Sequence, residues 1–378
     1  MTAIAYSSPL VPPEWIAAHG LRPCWLRLDA GRPGGLRGVG RGLCPLAGAT
    51  IDYATSGPEA AALVLTTTCD QLRYAAAVIE RFARVPVFLL NVPSTWQTEA
   101  AQQMYRDELR RLGRFLVHCG GAAPSQERLA QAVARYEEAR RQVRQLRPQL
   151  SARQLAEALV EIRSDGVLPV AGAEEGRVNE CGKKSSRHAP RAVRRSSDAV
   201  RPDIQGVPSA ADGTRNVPAT LADGTRSVPA TFVPLALVGG PVAARDFGLF
   251  DLIERCGARL VLDASETGER TLPAAMDPQR IAENPFEEMA AAYFGQCPDV
   301  FRRPNDPLYD WLGRELSARG VRGIIFRRYV GCDLWHAELF RLRQWSPVPV
   351  LDIDVDGEED GALGRTLGRL EAFVETLQ

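Results

Sequence analysis

The 378-residue chain reads as an α/β protein with two doubly wound, Rossmann- or flavodoxin-like parallel sheets and additional helices. Three observations lead there. Short apolar runs alternate with longer stretches of helical periodicity, the order that parallel strands joined by crossover helices require. The alternation breaks off near the middle of the chain and then restarts. One local unit also occurs twice: strand, Cys-Asp, helix, Val-Pro-Val strand. It is seen at Cys69-Asp70 with Val85-Pro86-Val87, and again, at the same spacing, at Cys332-Asp333 with Val348-Pro349-Val350.

In the first half, residues 2–7 form an apolar run and 13–19 a helix that follows Pro12. Residues 24–28 form a second run, and 31–43 a Gly/Arg/Pro loop that ends at Cys44. A strand over 62–67, rich in Leu, Val and Thr, leads into a helix over 70–82, and 85–90 has the character of a buried strand. Helical spacing then covers 96–118, 125–147 and 151–164. The pattern restarts with a strand over 235–238 that ends in Gly239-Gly240-Pro241, and a helix that runs to about Cys256. Strands over 259–263, 323–327 and 348–352 alternate with helices near 285–295, 306–319, 333–343 and 361–377. The expected domains are 1–172, an N-terminal α/β domain with a helical extension, and 233–378, a C-terminal α/β domain.

Between them, 173–232 changes composition. Lys183, Lys184, Arg187, Arg191, Arg194, Arg195 and Arg201 alternate with Ser and Pro, and the segment from Ala211 to Leu221 recurs almost unchanged from Ala222 to Phe232. With many Pro and Gly and few large apolar residues, this reads as a disordered basic insertion.

Lys plus Arg and Asp plus Glu number 46 each, so no global field favours nucleic acid or a membrane surface. No stretch approaches the roughly 20 apolar residues that a bilayer requires. The opening residues lack the basic and apolar regions of a secretion signal, which gives the expectation of a cytoplasmic protein.

Eight cysteines stand at 24, 44, 69, 119, 181, 256, 297 and 332, with no close pair of zinc-finger spacing. Any metal site must gather them from distant parts of the chain. Cys69 and Cys332 each follow a strand and open a helix, where ligands collect in open α/β sheets and where unpaired N–H groups favour a thiolate. The Asp after each is placed to cap the same helix. Cys44, closing its loop, can reach the same edge. Three thiolates on one cleft suit an iron–sulfur cluster whose fourth position stays open. Cys24, Cys119, Cys256 and Cys297 read as structural, and Cys181 as an exposed thiol. His336 shares a helix face with Cys332, yet that helix leads away from the sheet edge, which makes it a surface or packed histidine. Gly38-Val-Gly40-Arg-Gly42 follows the second strand and opens no helix, so it is an approach to Cys44 and not a dinucleotide loop. No Walker-type Gly-Lys-Ser/Thr is present, so this chain itself is not expected to hydrolyse ATP.

The chain resembles a subunit of the 2-hydroxyacyl-CoA dehydratase and benzoyl-CoA reductase family. The residues that carry the likeness are Tyr6-Ser7 with Pro13-Glu14, Cys44-Pro45, Thr68-Cys69-Asp70, Asn91-Val92-Pro93, Gly239-Gly240-Pro241, Asn284-Pro285, Cys332-Asp333 with Glu338, and Arg369 to Glu375. The resemblance covers both expected domains. It implies a [4Fe–4S] cluster held by Cys44, Cys69 and Cys332 at the interdomain cleft. It also implies pairing with a homologous subunit or a second copy, a separate ATP-dependent iron–sulfur activator, and an acyl-CoA thioester substrate. In such enzymes one low-potential electron turns the thioester into a ketyl radical, which acidifies an otherwise inert β-proton before dehydration. The benzoyl-CoA branch, or a non-catalytic electron-transfer subunit, is the alternative. The resemblance assigns no acid–base residue.

Overall fold

The computed structural model describes residues 1–28, 42–168, 232–356 and 362–378. The Gly-rich stretch up to Arg41, the expected insertion up to Thr231, and with them Cys181, lie outside the described residues. Four strands, β1 (Ala3–Tyr6), β2 (Arg22–Trp25), β3 (Ala62–Thr66) and β4 (Val87–Leu90), form a parallel sheet in the order β2-β1-β3-β4. Four more, β5 (Val233–Gly239), β6 (Ala258–Ser265), β7 (Gly323–Tyr329) and β8 (Val350–Val355), form a second in the order β6-β5-β7-β8. The winding is the same in both. In each sheet the strand order turns between the first and third strands, which opens a crevice beyond their carboxyl ends. β3 and β7 are buried along their whole length, which explains the unbroken apolar run Ala62-Leu-Val-Leu-Thr66.

The flanking helices of the first half are α1 (Pro13–Ala18), α2 (Pro45–Thr55), α3 (Asp70–Phe82), α4 (Glu99–His118), α5 (Gln126–Leu146) and α6 (Ala152–Asp165). Those of the second are α7 (Gly248–Arg255), α8 (Pro278–Glu283), α9 (Pro285–Gln296), α10 (Asp306–Ala318), α11 (Asp333–Trp345) and α12 (Ala362–Glu375). The repeated unit holds in detail. α3 and α11 each run 13 residues. In both repeats the strand starts only at the second valine, because proline has no N–H to give the ladder. Its carbonyl still accepts, from Leu63 N–H at Pro86 and from Ile324 N–H at Pro349, each at 2.9 Å. β7 runs two residues past its expected end and takes Arg328 and Tyr329 inside. The buried Arg328 meets Asp352 and Asp354, each at 2.8 Å.

α2 and α8 were not expected. The sequence of α2, Leu46-Ala-Gly-Ala-Thr-Ile51, offers no polar face to mark a helix, and the structure shows why: α2 is buried on most sides, against α3 and β3. Helices also cross between the halves. Met289, Tyr293 and Phe294 of α9 share a core with Tyr105 and Leu109 of α4 and Val133 of α5, and Tyr105 stacks on Phe294 with ring centroids 4.8 Å apart. In return, Ala152 and Ala156 of α6 join the apolar cluster under the second sheet. α6 opens with a capping box, Gln154 N–H to Ser151 Oγ at 3.2 Å and Ser151 N–H to Gln154 Oε1 at 2.9 Å. Ser151→Ala is expected to cost about 1 kcal/mol in urea unfolding. A change near zero would mean that the tertiary contacts of α6 hold its first turn without the cap. Among the described residues no helix is long and apolar enough to cross a membrane.

Candidate functional site

Cys44, Cys69 and Cys332 have one structural role in common. Each has extended backbone and is the N-cap of a helix: Cys44 of α2, Cys69 of α3, Cys332 of α11. Each carbonyl accepts the first helical bond, from Gly48, Arg73 and His336 respectively. The sulfur of each then lies over the first turn, where N–H groups have no intrahelical partner. Ala47 N–H reaches Cys44 Sγ at 3.4 Å. Cys69 and Cys332 accept no such capping bond, though the first-turn N–H groups of Gln71, Leu72 and Trp335 favour their thiolates electrostatically. Asp70 and Asp333 are not the caps that the sequence suggested. They are the first residues of their helices and lie exposed, where an acid favours the positive end of the helix dipole. Cys44-Pro45, expected to end a loop, instead opens a helix with proline at its first position, where the missing N–H costs nothing.

The three cysteines line one cavity that opens to solvent. Ser8, Leu10 and Leu72 contribute to its wall from the first half, and Pro241, Glu266, Asp299, Phe301, Tyr329, Leu334 and Trp335 from the second. Two contacts hold the corner together. Cys44 N–H donates to Gln71 Oε1 at 3.3 Å, which ties α2 to the start of α3. Gly331, with φ of +81°, lies against the Cys44 backbone, so close that a Cβ there would stand 3.5 Å from Cys44 Cα. The residue before Cys332 thus touches Cys44 itself.

Burial dominates the electrostatics. It pushes the Cys44 thiol up to about 11 and the Cys332 thiol up to about 12, against the helix N–H groups, and it raises Cys69 too. The sulfurs also raise one another, Cys69 acting on both Cys44 and Cys332. Without a metal all three are neutral thiols at pH 7, so a metal that binds them must displace their protons. Burial, with Asp299 adding to it, pushes Glu266 up to about 7 against Arg270 and Arg163. The Glu266 carboxylate has no hydrogen bond or ion pair to a described residue. The buried indole N–H of Trp335 also lacks an acceptor among the described residues.

Among the described residues, no three His, Cys, Asp or Glu side chains stand close enough to hold a single metal ion. The three cysteines line the wall of one cavity, and three thiols are a donor set of the kind an iron–sulfur cluster takes.

Glu266 and Trp335 went unnoticed in the sequence. Glu266 sits in the polar segment after β6 to which no contact was assigned; its position directly after the second strand of its sheet was the available signal. Four of the other residues singled out lie where the sequence suggested. His336 is exposed and does not line the cavity, Cys119 and Cys256 cap helix ends, and Cys297 is buried after α9. Glu338 is buried beside the site, accepting from Asn305 Nδ2 at 2.8 Å and Tyr309 Oη at 2.6 Å, and is a packing partner of α10.

No curated protein matches the chain at a significant level. A family model does: the one described as 2-hydroxyglutaryl-CoA dehydratase, D-component, matches residues 10–162 and 207–377, and so spans all three cysteines and most of the chain. The chain belongs to the 2-hydroxyglutaryl-CoA dehydratase D-component family.

Proposed function

We propose that the chain is the cluster-bearing subunit of a 2-hydroxyacyl-CoA dehydratase-type enzyme, with Cys44, Cys69 and Cys332 as the ligands of a [4Fe–4S] cluster. One observation carries this reading: three cysteines far apart in sequence cap three helices around a single cavity between two sheets. Structural cysteines have no reason to share one open cavity and one capping role. When bound, such a cluster supplies single electrons and a Lewis-acidic iron.

The chain's own residues supply the rest. The first-turn N–H groups of α2, α3 and α11 favour thiolate over thiol at the three sulfurs. Leu10, Leu72, Phe301 and Leu334 give the cavity an apolar lining that excludes water from an acyl chain. A homologous subunit or second copy, an ATP-dependent activator and the acyl-CoA substrate belong to this proposal.

Anaerobic purification followed by iron and sulfide analysis tests it. Wild type is expected to hold about four of each per chain, and Cys69→Ser to lose most of both. A wild-type chain free of iron, or a Cys69→Ser variant with an unchanged cluster, sinks the ligand assignment. Adding reduced activator and a panel of 2-hydroxyacyl-CoA thioesters then tests for dehydration. A full cluster without turnover in the assembled enzyme would point to an electron carrier instead.

A further inference from the structure

We infer that the cavity lined by Trp96 and Trp311 holds the adenine nucleotide end of a coenzyme A thioester whose acyl end enters the cysteine cavity. The inference rests on the acyl-CoA reading above and goes beyond it by assigning the nucleotide a site of its own. Trp96 reaches this cavity from the loop after β4, and Trp311 and Arg314 from α10. Cys297, Asp299 and Arg302, from the segment between α9 and α10, complete the wall that matters here. Asp299 also lines the cysteine cavity, as does Phe301 beside Arg302. The two cavities are therefore neighbours along one short segment, 299–302.

Both indoles are only half-buried, although tryptophan is among the side chains that gain most from burial. Trp96 is fixed in place, its Nε1 donating to Pro304 O at 3.1 Å, and its loop is tied by Arg303 N–H to Ser94 O at 3.0 Å. Two cations line the same cavity. Arg302 is 3% exposed and stacks on Phe294 and Phe301, its guanidinium carbon 4.4 and 5.0 Å from the ring centroids. Its Nη2 donates to Phe294 O, while Nη1 has no partner among the described residues. Arg314 is exposed and makes no hydrogen bond or ion pair with a described residue. The one carboxylate on the wall, Asp299, accepts from Arg270 Nη1 at 2.9 Å and from Phe301 N–H at 3.2 Å, and bonds to neither of these arginines. Flat π surface beside positive charge without an ion pair suits an aromatic ring that carries phosphate. Coenzyme A has one such end, adenine with a ribose 3′-phosphate and a 5′-diphosphate. Its uncharged pantetheine arm joins that end to the thioester, which belongs on the cysteine side of the 299–302 segment.

The test uses the full chain, purified anaerobically, with two probes in isothermal titration calorimetry: adenosine 3′,5′-bisphosphate and butyryl-CoA. Each is expected to bind wild type at one site, and each to exclude the other. Trp311→Leu should weaken both at least about fivefold, the loss of one base-stacking surface. Arg314→Ala should weaken both about threefold, with a shallower dependence on salt. Arg114→Ala, which removes an exposed arginine of α4 outside the cavity, should leave both unchanged. Butyryl-CoA bound with wild-type affinity by both cavity variants overturns the inference and leaves the thioester reading standing. A wild-type chain that binds neither probe sinks both. Tighter binding of ATP than of the bisphosphate would give the cavity to a free nucleotide and also overturns the inference. Should Trp311→Leu fail to fold, the exposed Arg314→Ala decides alone.

Discussion

Gly239→Ala is expected to destabilise the chain by at least about 4 kcal/mol, beyond the range of ordinary single substitutions, and to deplete soluble protein. Gly239 ends β5 with φ of +144°, a conformation that side chains rarely adopt. A Cβ there would stand 1.8 Å from the carbonyl oxygen of Arg327 on the neighbouring strand β7, well inside contact distance. The obstacle is backbone, so no rotamer relieves it. Arg327 cannot retreat, because its buried guanidinium is held by Pro241 O at 2.8 Å and by Asp246. The collision lies where β5 and β7 part to form the crevice, with Pro241 on the cavity wall. Gly57→Ala serves as the control. Gly57 also has positive φ, +80°, but its Cβ would meet nothing within 4 Å. That change should cost only about 1 kcal/mol. Urea unfolding of the pair separates close approach from backbone strain, and equal costs would refute the close-approach argument.

Arg140→Met is expected to cost about 3–5 kcal/mol, because it strands a buried carboxylate. Glu14 of α1 is fully buried, and Arg140 of α5 is 2% exposed. Their ion pair measures 3.0 Å, and Tyr293 of α9 closes the triangle by donating to Glu14 Oε2 at 2.9 Å and accepting from Arg140 Nη1 at 3.2 Å. Three helices from both halves of the chain are thus fastened through one carboxylate. Glu14 raises Arg140 further above its already high range, so the guanidinium stays charged throughout. The double variant Glu14→Gln with Arg140→Met should recover part of the loss, since the amide leaves no buried charge behind. A double-mutant cycle in urea measures this. Additive costs would show that the pair does not act as a unit.

Both sites were half visible in the sequence. Glu14 and Gly239 stood among the residues that carry the family likeness, but nothing near Glu14 named Arg140 as its partner. The alternation of apolar runs and helices, and the doubled Cys-Asp and Val-Pro-Val unit, sufficed to predict two parallel α/β sheets. The signal is local: strand period, helix period and proline position are written within about a dozen residues. Cys69 and Cys332 could be placed for the same reason, each lying just past a strand. Cys44 was read as a cluster ligand at the end of a loop; it lines the cavity but opens a helix, which the sequence hid because α2 is buried on most sides and lacks the apolar stripe that marks a surface helix.

The chain's local patterns determined the strands, most of the helices, their repetition and the end of each sheet at which ligands gather. Only the tertiary structure decided that α9 packs on the first half and α6 on the second, that Gly331 brings Cys332 against Cys44, and that Glu266 shares their cavity. Those outcomes depend on shape and burial between segments far apart in the chain. The energy of such contacts belongs to pairs of surfaces, and no single stretch of sequence carries it.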